Sequence, residues 1–117
     1  MLVILIVEDN TQMRRMLKNL VADLASSVYE CRDGKDALVA YQEHHPDFVL
    51  MDIAMKEMDG ITATRQLKAA DPTAQIIIVT NYDEEDMREA AQQAGACGYV
   101  LKENMLDVRR VLQTLAA

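Results

Sequence analysis

The sequence predicts an α/β domain, a (βα)5 chain folded into a doubly wound five-stranded parallel sheet. Three observations carry the prediction. Apolar runs of strand length recur five times, each followed by a stretch of helical periodicity. All but the second, which alternates, are apolar at nearly every position, as strands covered by helices on both faces must be. No linker, low-complexity segment or charge block interrupts the alternation, so the 117 residues read as one domain, 1–117.

The first strand is "LVILIV" (2–7). Asn10 is a good N-cap for the helix that follows, in which Met13, Met16, Leu17, Leu20, Val21 and Leu24 make one apolar stripe. "SVYECR" (27–32) alternates as a second strand, and Asp33 and Gly34 then open a helix through Ala37, Leu38 and Tyr41, stopped by Pro46. "FVLMD" (48–52) is the third strand. A loop to Gly60 leads into a helix of about 61–70, which Asp71-Pro72 ends. "QIIIVT" (75–80) is the fourth strand, with Met87, Ala90, Ala91 and Ala94 lining the next helix and Gly95 closing it. "CGYVL" (97–101) is the fifth strand, and Val108, Val111, Leu112 and Leu115 mark the last helix.

Right-handed crossovers and an open sheet of this size predict the flavodoxin-like strand order 2-1-3-4-5. Cys31 and Cys97 then lie on opposite edges, roughly 19 Å apart. A disulfide needs Cα atoms within about 7 Å, so both are expected as reduced core thiols of a cytoplasmic protein. The net charge of −7 argues against direct nucleic-acid binding by this domain. The longest apolar run, "MLVILIV", is far short of the ~20 residues that span a bilayer, so no membrane role is expected. It also lacks the basic leader of a signal peptide. The pair His44-His45, just before Pro46, is expected to complement the dipole at a helix C-terminus rather than to carry phosphate or metal.

In such sheets chemistry gathers outside the carboxyl ends of the strands. Those ends carry Glu8-Asp9, Asp52, Thr80 and Lys102, three carboxylates, a hydroxyl and an ammonium drawn from four segments. Three acids at close range repel, which raises their pKa values and costs stability unless a cation sits among them. Mg²⁺ prefers a few carboxylates with water and phosphate oxygens, so the set reads as a Mg²⁺ site beside groups able to hold a tetrahedral anion. Singly, each residue has a plainer reading: Asp9 as part of a helix cap, Asp52 as a loop-opening residue, Thr80 as a strand residue, Lys102 as a surface lysine. Their joint occurrence at four ends of one sheet favours the site.

"VEDN" (7–10), "VLMDIAM" (49–55), "MDGI" (58–61), "IVTNYD" (78–83) and "GYVLKE" (98–103) resemble the receiver domain of bacterial response regulators. In wording the last two stretches are closest to receivers with a helix-turn-helix output. The resemblance covers essentially the whole chain. It implies that Asp52 accepts a phosphoryl group as a nucleophile, expected at the exposed end of its strand to reach metal and phosphorus. It implies further that Glu8, Asp9, Asp52 and the Ala54 carbonyl hold Mg²⁺, with Mn²⁺ as a substitute. Lys102 and Thr80 would contact phosphoryl oxygens, and Tyr99 would be the aromatic that switches with Thr80. The implied donor is a phospho-histidine on a sensor histidine kinase or histidine phosphotransfer protein, or a small molecule such as acetyl phosphate. The implied output is a change in the face of helix 4, strand 5 and helix 5, read by a downstream protein or the chain's own output domain. Stand-alone receiver or receiver of a longer regulator, transcription or another output, and phosphorylation-dependent homodimer or not, all stay open.

The chain departs from the family pattern at three points. Glu8 replaces the first aspartate. Lys56 replaces the proline of "MPxMDG", which predicts a less rigid loop after Asp52. Glu103 follows Lys102 in place of proline, which predicts a trans peptide there. A haloacid-dehalogenase-type phosphatase would need an acid at Ala54, and a flavodoxin would need a hydroxyl-rich phosphate loop after the first strand. The alternative that survives is a non-phosphorylated pseudo-receiver that works only as a protein-interaction module.

Overall fold

A computed structural model describes residues 2–117. In chain order the elements are β1 (Leu2–Val7), α1 (Thr11–Val21), β2 (Ala25–Cys31), α2 (Ala37–His44), β3 (Phe48–Met51), α3 (Gly60–Ala70), β4 (Ile76–Thr80), α4 (Glu85–Ala94), β5 (Gly98–Leu101) and α5 (Asp107–Ala116). Short 3₁₀ turns at Gly34–Asp36 and Lys102–Asn104 precede α2 and α5. All strand pairs are parallel, in the order β2-β1-β3-β4-β5 that the sequence predicts.

The uninterrupted apolar strands are explained by two cores, one on each face. Leu5, Val7, Val49, Met51, Ile76 and Ile78 point to the side covered by α2, α3 and α4. Ile4, Ile6, Phe48, Leu50, Ile77 and Val79 point to the side covered by α1 and α5, through Leu17, Val21, Val108 and Leu112. Each fully buried aliphatic side chain contributes roughly 2 kcal/mol. The helix ends follow the local chemistry. Asn10 accepts from the Met13 amide at 2.8 Å, Asp59 accepts from the Thr62 amide at 2.8 Å, and Gly95 closes α4 at φ 106°. His44 and His45 do end α2, with the His44 ring stacked on Tyr29 at 3.6 Å.

Three expectations are corrected. Arg14 joins Leu17 and Val21 as the buried residues of α1; Met13 and Leu20 pack half-buried on the same core, as does Leu24 beyond the helix, while Met16 is exposed. Arg14 can turn inward because the buried Glu8 carbonyl and the Glu30 carboxylate accept from its guanidinium. Cys97 is not a core thiol: it lies just before β5 with an exposed side chain, although its amide donates to the Ile76 carbonyl. β2 starts at Ala25, two residues earlier than alternation suggests, across a register shift between Leu2 and Val3. Both cysteines are free, and no peptide bond among the described residues is cis.

Asp33 ties the turn after β2 to the loop after β3. Its Oδ1 accepts from the amides of Lys35 and Met58, both at 3.0 Å, and its Oδ2 from the Glu57 amide at 2.9 Å. Burial raises the pKa of this carboxyl, but the three amides outweigh it and hold the group below the usual aspartate value. A pKa depressed by folding gives stability that is present above the unfolded value, near 3.9, and lost as pH falls through the folded one. The stability gap between wild type and Asp33→Asn in urea unfolding is therefore expected to be full near pH 6 and to shrink below about pH 4. A gap unchanged across that range would mean the carboxylate charge is not what these amides stabilise.

Candidate functional site

The register of the sheet brings the strand-end residues together. Val7 pairs with both Cys31 and Met51, so β1, β2 and β3 end level and Glu8 and Asp52 leave the sheet side by side. Two backbone bonds continue the ladder past those ends: the Asp52 amide donates to Val7 and the Glu8 amide to Cys31, both at 3.0 Å. Lys102 follows β5 and reaches across, its Nζ 3.2 Å from Asp52 Oδ2 and 2.9 Å from Glu8 Oε1. One carboxylate oxygen each from Glu8, Asp9 and Asp52 lies within 4.8 Å of the others.

Asp52 is 5 % exposed and Glu8 1 %. The expectation of an exposed Asp52 is thus corrected. Its Oδ1 accepts from the Ile53 amide at 2.8 Å while Oδ2 faces Lys102, and these partners compensate burial of the charge. Glu8 is worse placed. Burial pushes its pKa up to about 7, and neighbouring Asp52 adds to the rise, against the lowering effect of Lys102 and the Asn10 amide. Burial lowers the Lys102 pKa, but the two carboxylates reverse that and leave it raised.

Glu8 Oε1 is buried and, despite the ion pair with Lys102, receives no well-directed hydrogen bond. An oxygen in that state, with two further carboxylates at cluster distance, fits a hard divalent cation better than it fits lysine alone. The donor set is all oxygen, as Mg²⁺ requires.

Thr80 is fully buried at the end of β4, and its Oγ1 accepts weakly from the Tyr82 amide at 3.3 Å. Tyr99 is half-buried on β5. Its hydroxyl donates to the Tyr82 carbonyl at 2.7 Å, and Arg88 of α4 lies 4.7 Å over its ring. Thr80 and Tyr99 are therefore linked through one residue, Tyr82. Ala54 is exposed in the loop beyond Asp52, beside the acidic cluster in sequence.

Sequence reasoning missed Arg14. Its Nη1 donates to the Glu8 carbonyl at 2.8 Å and its Nε pairs with Glu30 at 3.2 Å, so it braces the backbone that presents Glu8. The available signal was its spacing, three residues before Leu17 on the inward face of α1.

The fold thus gathers a carboxylate cluster and a lysine at the strand ends of a doubly wound α/β domain. Comparison with known proteins makes this specific. The response regulator receiver domain family matches residues 4–115, and the chain belongs to that family. It is 42% identical over 113 residues to the chemotaxis protein CheY of Bacillus subtilis strain 168, covering 96% of this chain and 92% of CheY. The transcriptional regulatory protein YdfI of the same organism is 38% identical over 102 residues, 86% of this chain but 47% of that regulator. Among solved structures, a LuxR-family response regulator from Aurantimonas sp. SI85-9A1 superposes with TM-score 0.91 at 28% identity, covering 97% of this chain and 84% of that one. The family works in two-component signalling, and its members here include both CheY-length chains and longer transcriptional regulators. No helix among the described residues is long and apolar enough to cross a membrane.

Proposed function

We propose that the chain, as a single receiver domain over residues 1–117 in the cytoplasm, accepts a phosphoryl group on Asp52 and passes the change to the face of α4, β5 and α5. The observation that supports this most is the buried Asp52–Glu8–Lys102 cluster with its underpartnered Glu8 oxygen. Glu8, Asp9, Asp52 and the Ala54 carbonyl would hold Mg²⁺, which in such a site neutralises charge on a transferring phosphoryl group. An oxygen of Asp52 forms the new bond to phosphorus as the bond to the donor breaks. The donor keeps that electron pair, as a histidine imidazole of a kinase or phosphotransfer protein, or as acetate from acetyl phosphate.

Lys102 is placed to hold one phosphoryl oxygen as a point charge. Thr80 would turn its hydroxyl from Tyr82 toward another, which loosens the Tyr82 segment that the Tyr99 hydroxyl grips. The phosphoryl group leaves about −2 where the carboxylate carried −1, and the rearrangement this drives reaches α4 and β5. The partners are a sensor histidine kinase or histidine phosphotransfer protein upstream, and a downstream protein or attached output domain.

Intact-mass spectrometry after incubation with acetyl phosphate tests the reading. The expected result is a gain of one phosphoryl group that requires Mg²⁺. Folded protein that gains no phosphate on early quenching and binds no Mg²⁺ would leave the pseudo-receiver in its place.

A further inference from the structure

We propose that Asp33 is a positioning residue for the loop that follows the phosphoryl acceptor. The inference rests on the receiver reading above and extends it to a residue that touches none of the reacting groups.

The loop between β3 and α3 carries Ala54, and at Lys56 it lacks the proline that would stiffen it. It is held instead from outside. The buried Asp33 carboxylate grips two consecutive loop amides, Glu57 and Met58, while also closing its own turn through the Lys35 amide. The turn presses close: a Cβ on Gly34 would stand 2.5 Å from the Met58 carbonyl oxygen, so only glycine lets the two segments meet. An exposed ion pair between Lys35 and Glu57 spans the same junction but contributes little on its own. Across the base of the loop, the Gly60 amide donates to the Ile53 carbonyl at 2.9 Å. Residues 54–59 are thus closed at the base and held from outside at Glu57 and Met58, and the Asp33 pin opens onto the same surface cleft as Asp9.

A carbonyl that is to meet a cation must be held before the cation arrives, because ordering a loop residue costs about 1–2 kcal/mol of backbone entropy. Asp33 supplies that order in the free protein. Groups that orient metal-binding atoms from behind typically change metal affinity 10–100-fold when removed.

The test compares Mg²⁺ affinity by calorimetry, phosphorylation rate at saturating Mg²⁺, and amide hydrogen exchange at Glu57 and Met58. Asp33→Asn keeps one acceptor oxygen for Lys35 and Met58 but sets an amide donor against the Glu57 N–H. Asp33→Ser keeps the local turn and reaches neither loop amide. Tyr41→Phe, which loses a 2.7 Å bond from α2 to Asp71 at the C-terminal end of α3, is the control for lost stability. The expected result is faster exchange at Glu57 in both Asp33 variants and at Met58 in Asp33→Ser alone, with about 10-fold weaker Mg²⁺ binding in both and the control unchanged. Faster exchange with wild-type Mg²⁺ affinity and phosphorylation rate would overturn the inference and leave the receiver reading standing, as would equal losses in the control. Wild-type protein that binds no Mg²⁺ would overturn the receiver reading, and the inference with it.

Discussion

Asp52→Asn is expected to gain no phosphoryl group from acetyl phosphate at any Mg²⁺ concentration, while remaining folded. The substitution is nearly isosteric and keeps an oxygen for the Ile53 amide, so the 2.8 Å bond that sets the side-chain angle survives. Lys102 keeps Glu8 as an ion-pair partner at 2.9 Å. What disappears is the nucleophile, since an amide oxygen in this setting has neither the charge nor the basicity to attack phosphorus. Intact mass with Mg²⁺ titrated from zero to saturation checks this. Equal labelling of wild type and variant would place the acceptor elsewhere, Asp9 being the next carboxylate in the cluster, and would overturn the assignment of Asp52.

The largest effect on stability is expected at Gly60. A Cβ built there would sit 1.8 Å from the Asp52 carbonyl oxygen and 2.8 Å from its carbon, both backbone atoms of the acceptor itself. Neither can swing aside as a side chain would. Alanine is the better helix former by up to about 1 kcal/mol, but the overlap forces the start of α3 away from the end of β3. We expect Gly60→Ala to cost about 3 kcal/mol or more, which for a domain of this size lowers Tm by roughly 10 °C. Because the clash falls on Asp52, the phosphorylation rate should fall with it. A Tm within about 2 °C of wild type would show that the loop relaxes easily and that Gly60 is not a constraint.

The fold was legible because its main signal is local. Apolar strand runs, one alternating strand (27–32) and their helical stripes are periodic within a few residues, and Asn10, Pro46, Pro72 and Gly95 punctuate them. Strand-end residues were legible too, because topology alone carries Glu8, Asp52, Thr80 and Lys102 to one edge. What periodicity does not encode is direction and partner. It could not say that Asp52 would be buried against lysine, that Arg14 would fold inward onto the Glu8 carbonyl, or that Asp33 would hold two amides more than twenty residues away. Each of those depends on side-chain contacts between segments distant in sequence. Met16 and Cys97 show the converse, apolar residues in apolar stretches that face outward because no neighbour covers them.

The strand order has a consequence for how the protein is made. Within this domain β1 is synthesised before the other four strands, yet it lies inside the sheet between β2 and β3. Its run Ile4–Val7 pairs on one side with β2, but on the other it waits for Phe48–Met51, some forty residues later in synthesis. Until then one edge of the most apolar strand is unpaired, and β3 in turn awaits β4. Long-range parallel pairing of this kind is slow to nucleate and leaves sticky edges open. The nascent domain is therefore prone to aggregate until first β3 and then β4 have emerged to cover those edges.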